Sequence, residues 1–163
     1  MKGFGSTRIE WMMDFTRRPP SFAMSRYREL KAWQCALINA CKVRDVVSRF
    51  PRQGYTELKE QMVSSAESVG NNIAEGRAAS SHRDYRKFLD SAAKSASELC
   101  GQIDTGRAYG VIPDRTAINL TGSVICNLRM IRGLQSSSVA NGRKQKPKAT
   151  PVDRRVGKRR GAT

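Results

Sequence analysis

Residues 57–76 read ELKEQMVSSAESVGNNIAEG. Within them Leu58, Met62, Ser65, Val69 and Ile73 recur at steps of 4, 3, 4 and 4. Such steps bracket the 3.6-residue turn and keep one side chain above the next on a single α-helical face, whereas a strand would need a step of 2. The stripe is narrow, as in a helix that packs into a bundle. Thr56 is a candidate N-cap, and Gly76 can supply a left-handed C-terminal turn. The spacing therefore predicts a helix from about Glu57 to Gly76.

The same period extends to both sides. Arg26–Phe50 carries Tyr27, Leu30, Trp33, Leu37, Ala40, Cys41, Val47 and Phe50 as one stripe. Pro51 ends it, because a proline disfavours helical geometry in the preceding residue. His82–Tyr109 places Tyr85, Phe88, Leu89, Ala92, Ala96, Leu99 and Ile103 on one face. Ser81 with Asp84 resembles a capping box, and Gly110 is a natural terminator. Pro113-Asp114 opens a fourth segment to Leu134, with Ile118, Thr121, Ile125, Leu128 and Ile131 as its stripe. No segment alternates as a strand does. Four amphipathic helices with short connections predict an all-α fold, an antiparallel up-and-down four-helix bundle over residues 26–135.

The flanks read differently. Residues 1–25 mix Gly, Met and Arg around Pro19-Pro20 without a period, so a disordered leader or a start at Met24 is expected. Ser136–Thr163 has almost no large apolar group and is expected to be a disordered basic tail. The chain carries 30 Lys and Arg against 14 Asp and Glu, a net charge of +16. Residues 140–163 alone hold nine bases and one acid. Charge of this sign and size attracts polyanions, nucleic acid first and an anionic membrane surface second. No run reaches the apolar length of a membrane span. Cys35, Cys41, Cys100 and Cys126 form no C-x-x-C pair, and are expected to be reduced, small core residues of a cytoplasmic protein.

At residue level the chain resembles the bacterial four-helix bundle family named for proteins encoded in 23S rRNA intervening sequences. The match covers about Tyr27 to Leu134. Its N-terminal part is Tyr27-x-x-Leu30-x-x-Trp33-Gln34-x-Ala36. Its most specific part is Ser68-Val69-Gly70-Asn71-Asn72-Ile73-Ala74-Glu75-Gly76, close to the family's Ser-Ile/Val-x-x-Asn-Ile-Ala-Glu-Gly. Tyr85-x-x-Phe88-Leu89-x-x-Ala92 and Ser95-x-x-Glu98-Leu99 also fit. The resemblance implies a ring-shaped homopentamer. It also implies kinship with the accessory variability proteins of diversity-generating retroelements, which bind RNA or DNA and a reverse transcriptase. Where the family has a basic residue near Ser64 or Ser65, this chain has serine. The resemblance thus carries no nucleic-acid contact onto the second helix.

Several constellations bear on function. Asn72 and Glu75 share a helix face, and Asn72 adjoins the apolar stripe. A buried amide must find partners, so a structural polar network of Ser68, Asn72, Glu75 and Glu98 is expected. A di-metal bundle site needs Glu-x-x-His on two helices. The single histidine, His82, has Ala79 three residues before it, so no metal site and no cofactor are expected. A Ser-His or Cys-His nucleophile would have to recruit that same His82. Neither a G-x-S-x-G elbow, a P-loop nor a G-x-G-x-x-G fingerprint is present. No catalytic residue is expected, and a nuclease would need carboxylates clustered for metal ions. The candidate nucleic-acid-binding residues are Arg77, Arg83, Arg86, Lys87 and Lys94 on the helices. On the tail they are Arg143, Lys144, Lys146, Lys148, Arg154, Arg155, Lys158, Arg159 and Arg160. Such groups hold phosphates without reading sequence. The tail has no aromatic residue for base stacking. The expected function is a non-catalytic binder of RNA or DNA. The alternative is a protein-interaction scaffold, for example an adaptor for a reverse transcriptase.

Overall fold

The computed structural model describes residues 27–144, with side chains described as far as Ser138. The expectations for the leader and for residues 145–163 lie outside the described residues. Among the described residues four helices follow one another: α1 (Lys31–Val47), α2 (Thr56–Ala78), α3 (His82–Ala108) and α4 (Asp114–Lys144). Each packs on its two neighbours in the order α1, α2, α3, α4 and back to α1, so the fold is an all-α, up-and-down four-helix bundle. No helix among the described residues is long and apolar enough to cross a membrane.

Local chemistry sets the helix ends. Ser81 Oγ accepts from the Asp84 backbone N–H at 3.0 Å, the expected N-cap of α3, and donates to the Asp84 carboxylate at 2.7 Å. The shorter Asp side chain thus meets the serine hydroxyl and not the Ser81 backbone N–H of a full capping box. At the other end, Gly110 takes φ 72°, and the Val111 and Ile112 N–H groups turn back onto the Gly106 carbonyl. α1 stops at Val47, three residues short of the expected Phe50. Arg49 and Phe50 then donate to the carbonyls of Val46 and Val47 in a tightened final turn before Pro51. Thr56 is the first helical residue of α2, and Tyr55 takes the capping position.

Gly76 is not the left-handed terminator of α2. The helix runs on to Ala78, and Gly76 is buried within it. A Cβ there would lie 2.9 Å from Phe88 Cβ and 3.1 Å from Tyr85 Cδ2. Glycine is required because α2 and α3 nearly touch, and not because the chain turns.

The α2 stripe of Leu58, Met62, Ser65, Val69 and Ile73 faces the core as expected, and so do Leu89, Ala92, Ala96, Leu99 and Ile103 on α3. Tyr85 and Phe88 of the expected α3 stripe are only half-buried, against Gly76 of α2. Those of α1 and α4 are rotated. α1 buries Ala32, Ala36, Asn39 and Val43, while Leu30, Trp33, Ala40 and Val47 are half-buried against the core. α4 buries Ala117, Leu120, Val124, Asn127 and Ile131, leaving Ile118 61% and Ile125 39% exposed. On α1 the close approach of the helices at Ala36, Ala66, Ala92 and Ala96 lets small residues, and not Trp33 or Leu37, face the axis, whereas α4 turns Leu120, Val124 and Ile131 inward in place of Ile118 and Ile125.

α4 also continues past the expected boundary at Leu134, so Ser136–Lys144 is helix and not tail. Ser136 and Ser137 hydroxyls donate back to the carbonyls of Arg132 and Leu134. Ser138 is 5% exposed, with its hydroxyl directed at the His82 carbonyl. The cysteines are free thiols and none is a fully buried core residue: Cys35, Cys41 and Cys100 are half-buried and Cys126 is exposed. Burial, reinforced by Asp104, raises the Cys100 thiol pKa.

Candidate nucleic-acid interface

Charge divides across the bundle. α4 carries Arg115, Arg129, Arg132, Arg143 and Lys144 against Asp114 alone, whereas α2 carries Glu57, Glu60, Glu67 and Glu75 against Lys59 and Arg77. These two helices lie diagonally opposite, so the body has a basic edge and an acidic edge. The outer face of α2 is a shallow open groove lined by residues that include Glu60, Glu67, Asn71 and Glu75. A polyanion is repelled there and attracted to the α4 side.

The α3 candidates Arg83, Arg86, Lys87 and Lys94 are all exposed. Lys87 pairs with Asp84 at 2.9 Å and Lys94 with Glu98 at 3.7 Å, both as surface pairs. Arg77, Arg83 and Arg86 enter no ion pair among the described residues. The Asp84 carboxyl is held below its usual pKa by the Ser81 hydroxyl first and by Lys87 second. Gln135 Nε2 donates to Asp90 Oδ1 at 2.8 Å across the α3–α4 seam. Arg132 and Arg129, earlier on the same helix as Gln135, are exposed. Neither arginine is among the sequence candidates. The rotated core face of α4 is the signal that turns both outward.

Arg143 and Lys144 fall within the helical span of α4 and not in a tail. Lys146, Lys148, Arg154, Arg155, Lys158, Arg159 and Arg160 lie outside the described residues. Arg77 follows Gly76 at the end of α2, near enough to Tyr85 to oppose the upward shift that burial gives its phenol.

The polar network is built differently from the expected one. Asn72 Nδ2 donates to the Ser68 carbonyl at 2.8 Å and to its hydroxyl at 3.0 Å, and Ser68 Oγ meets Ser95 Oγ at 2.9 Å across the α2–α3 seam. Glu75 is exposed and takes no part, while Glu98 turns to Lys94. The reason is angular. Ser68 and Asn72 sit on the flank of α2 that meets α3, while Glu75 points outward. A second network, not anticipated, ties α1 to α4. Ser123 Oγ donates to Asn39 Oδ1 at 2.6 Å, Asn39 Nδ2 donates to the Ser123 carbonyl at 3.4 Å, and Asn127 Nδ2 donates to the Ala32 carbonyl at 2.9 Å. Both amides are almost fully buried and fix the α1–α4 register. Among the described residues no three of His, Cys, Asp and Glu converge to hold a metal ion.

A four-helix up-and-down bundle with hydroxyl and amide seams and a charge gradient across it is the class these features define. The model of the 23S rRNA-intervening sequence protein family matches residues 28–133, and the chain belongs to that family. A comparison with curated proteins gives no match.

Proposed function

We propose that this protein is a non-catalytic, cytoplasmic nucleic-acid-binding accessory protein that holds RNA or DNA by its phosphate backbone and works as an oligomer, a homopentamer on the family resemblance. The observation that carries the reading is the lopsided charge: a net charge of +16, with bases gathered on α4 opposite an acidic α2, and nine bases against one acid in residues 140–163 of the sequence. Arg83, Arg86, Lys94, Arg129 and Arg132 would meet phosphates on the bundle. The C-terminal bases would add contacts without sequence preference.

The test is the salt dependence of binding. With Z phosphates neutralised, log K falls with log[salt] at about −0.9Z on duplex DNA and about −0.7Z on single strands. Removing the residues after Lys144 should flatten that slope while leaving the helical signal intact. The cut belongs there and not at Ser136, because Ser138 is buried in the bundle. Affinity indifferent to salt would defeat the reading. A second reading, a scaffold for a reverse transcriptase or another enzyme, is favoured by the exposed Ile118 and Ile125 on α4. It predicts a partner retained after the same truncation and lost on Ile118→Lys.

A further inference from the structure

The end of the bundle where α1 and α3 stop holds a feature that phosphate binding does not use. Three aromatic rings step outward from the core there: Phe50 at 6%, Tyr55 at 37% and Tyr109 at 60% exposure. Phe50 meets Tyr55 edge to face at 6.5 Å between centroids, and Tyr55 meets Tyr109 at 6.0 Å with the planes tilted by 41°. The rings come from two different connections, 48–55 and 109–113, so the fold and not the local sequence assembles them.

The backbone is bent to place them. Tyr55 has φ 58°, the one non-glycine residue in the left-handed region among the described residues, and it follows Gly54 at φ 76°. An aromatic residue is disfavoured in that conformation, and strain of this kind persists where surrounding structure and function hold it. Tyr109 is fixed by the turn at Gly110. Neither tyrosine hydroxyl forms a hydrogen bond among the described residues, so hydrogen bonding does not explain why the rings stay in solvent. The two connections carry Arg49 and Arg52, both exposed, and no acidic residue. In the adjoining helix turns Arg44, Lys59, Arg107 and Arg115 stand against Asp45, Glu57 and Asp114. Arg107 pairs with Asp114 at 2.8 Å.

Exposed rings on connections whose arginines, Arg49 and Arg52, enter no ion pair among the described residues are what an unpaired nucleotide requires. The base stacks on a ring and the phosphate meets an arginine, without sequence reading. We propose that Tyr109, backed by Tyr55, is a stacking platform for unpaired bases of a single-stranded nucleic acid, with Arg49 and Arg52 holding the adjacent phosphates. The proposal rests on the nucleic-acid reading above and specifies it: single strands or unpaired loops, bound at the loop end of the bundle.

The experiment compares the full chain with Tyr109→Ala, Tyr109→Trp and Tyr55→Gly. Anisotropy is read on labelled single-stranded RNA, single-stranded DNA and a duplex of the same sequence. Tyr55→Gly removes the ring while suiting the positive φ, so the fold is retained, and far-UV circular dichroism checks it. Loss of one stacked base lowers affinity by about fivefold to a hundredfold. That loss is expected for Tyr109→Ala and Tyr55→Gly on single strands, with duplex affinity changed less than about twofold and Tyr109→Trp at least as tight as wild type. A loss on RNA, on DNA or on both supports the platform and names the strand it takes. Full affinity in Tyr109→Ala, or an equal loss on duplex, overturns it. So does a variant that binds strands normally but no longer self-associates by light scattering, which would make the rings a contact between copies. If the wild type binds no polyanion, the broader reading fails as well. If it binds with a steep salt slope and Tyr109→Ala matches it, the platform alone fails.

Discussion

Two glycines of one signature should respond to the same substitution with opposite signs. Gly70 and Gly76 both lie inside α2, and alanine in a helix interior is worth about 0.5–1 kcal/mol over glycine. At Gly70 the new methyl would meet Ala36 Cβ at 3.8 Å and Trp33 Nε1 at 3.9 Å, which is ordinary contact. Gly70→Ala should therefore stabilise by about 0.5–1 kcal/mol. At Gly76 the methyl would lie 2.9 Å from Phe88 Cβ and 3.1 Å from Tyr85 Cδ2. Carbon atoms rest at about 3.5–4.0 Å, so α2 and α3 must part by roughly half an ångström or more. Phe88 Cβ is attached to the backbone and cannot swing aside. The start of α3 is also pinned by its Ser81 cap. Overpacking of this kind costs about 1–3 kcal/mol, which outweighs the gain in helix propensity. The two variants should differ by about 1–3 kcal/mol, or about 4–12 °C in Tm at roughly 4 °C per kcal/mol. Urea unfolding followed by far-UV circular dichroism, at one protein concentration, measures the difference. A Gly76→Ala protein as stable as Gly70→Ala would refute the close-approach account of that glycine.

Two further outcomes follow from the helix faces and the cap. Ile118→Ala should change unfolding free energy by less than about 0.5 kcal/mol, and Ile131→Ala should cost about 2–5 kcal/mol, because only Ile131 is fully buried; similar denaturant midpoints would put the core face of α4 back on the Ile118 side. Ser81→Ala should cost about 1 kcal/mol near neutral pH by removing the cap. Asp84 has a folded pKa below its unfolded value of about 3.9, so its contribution is present above that value and lost as pH falls through the folded pKa. Ser81 is the largest cause of that shift, so the deficit of Ser81→Ala should narrow below about pH 4, as read from Tm against pH.

By its local pattern alone the sequence was enough for the fold class, for the four helices of the described residues, for the inward face of α2 and for most of that of α3. It was enough because the 3.6-residue period is a local property and each of those two segments carries one regular run of apolar and small residues, Leu58 to Ile73 and Leu89 to Ile103. It also revealed the charge imbalance, which is a matter of counting. Tertiary structure decided whatever depends on a neighbour's volume or position. On α1 the small residues form one stripe and Trp33 and Leu37 another, and the close approach at Ala36, Ala66 and Ala96 selected the small one; on α4 the neighbouring helices selected Leu120 and Val124 over Ile118 and Ile125. Asn39 and Asn127 became seam amides for the same reason, a role that no spacing within one helix encodes. Gly76 reads as a helix end until Phe88 is set against it. Tyr55 and Tyr109 are unremarkable in their own connections, and only the folding of two distant turns onto one end of the bundle brings their rings within 6.0 Å.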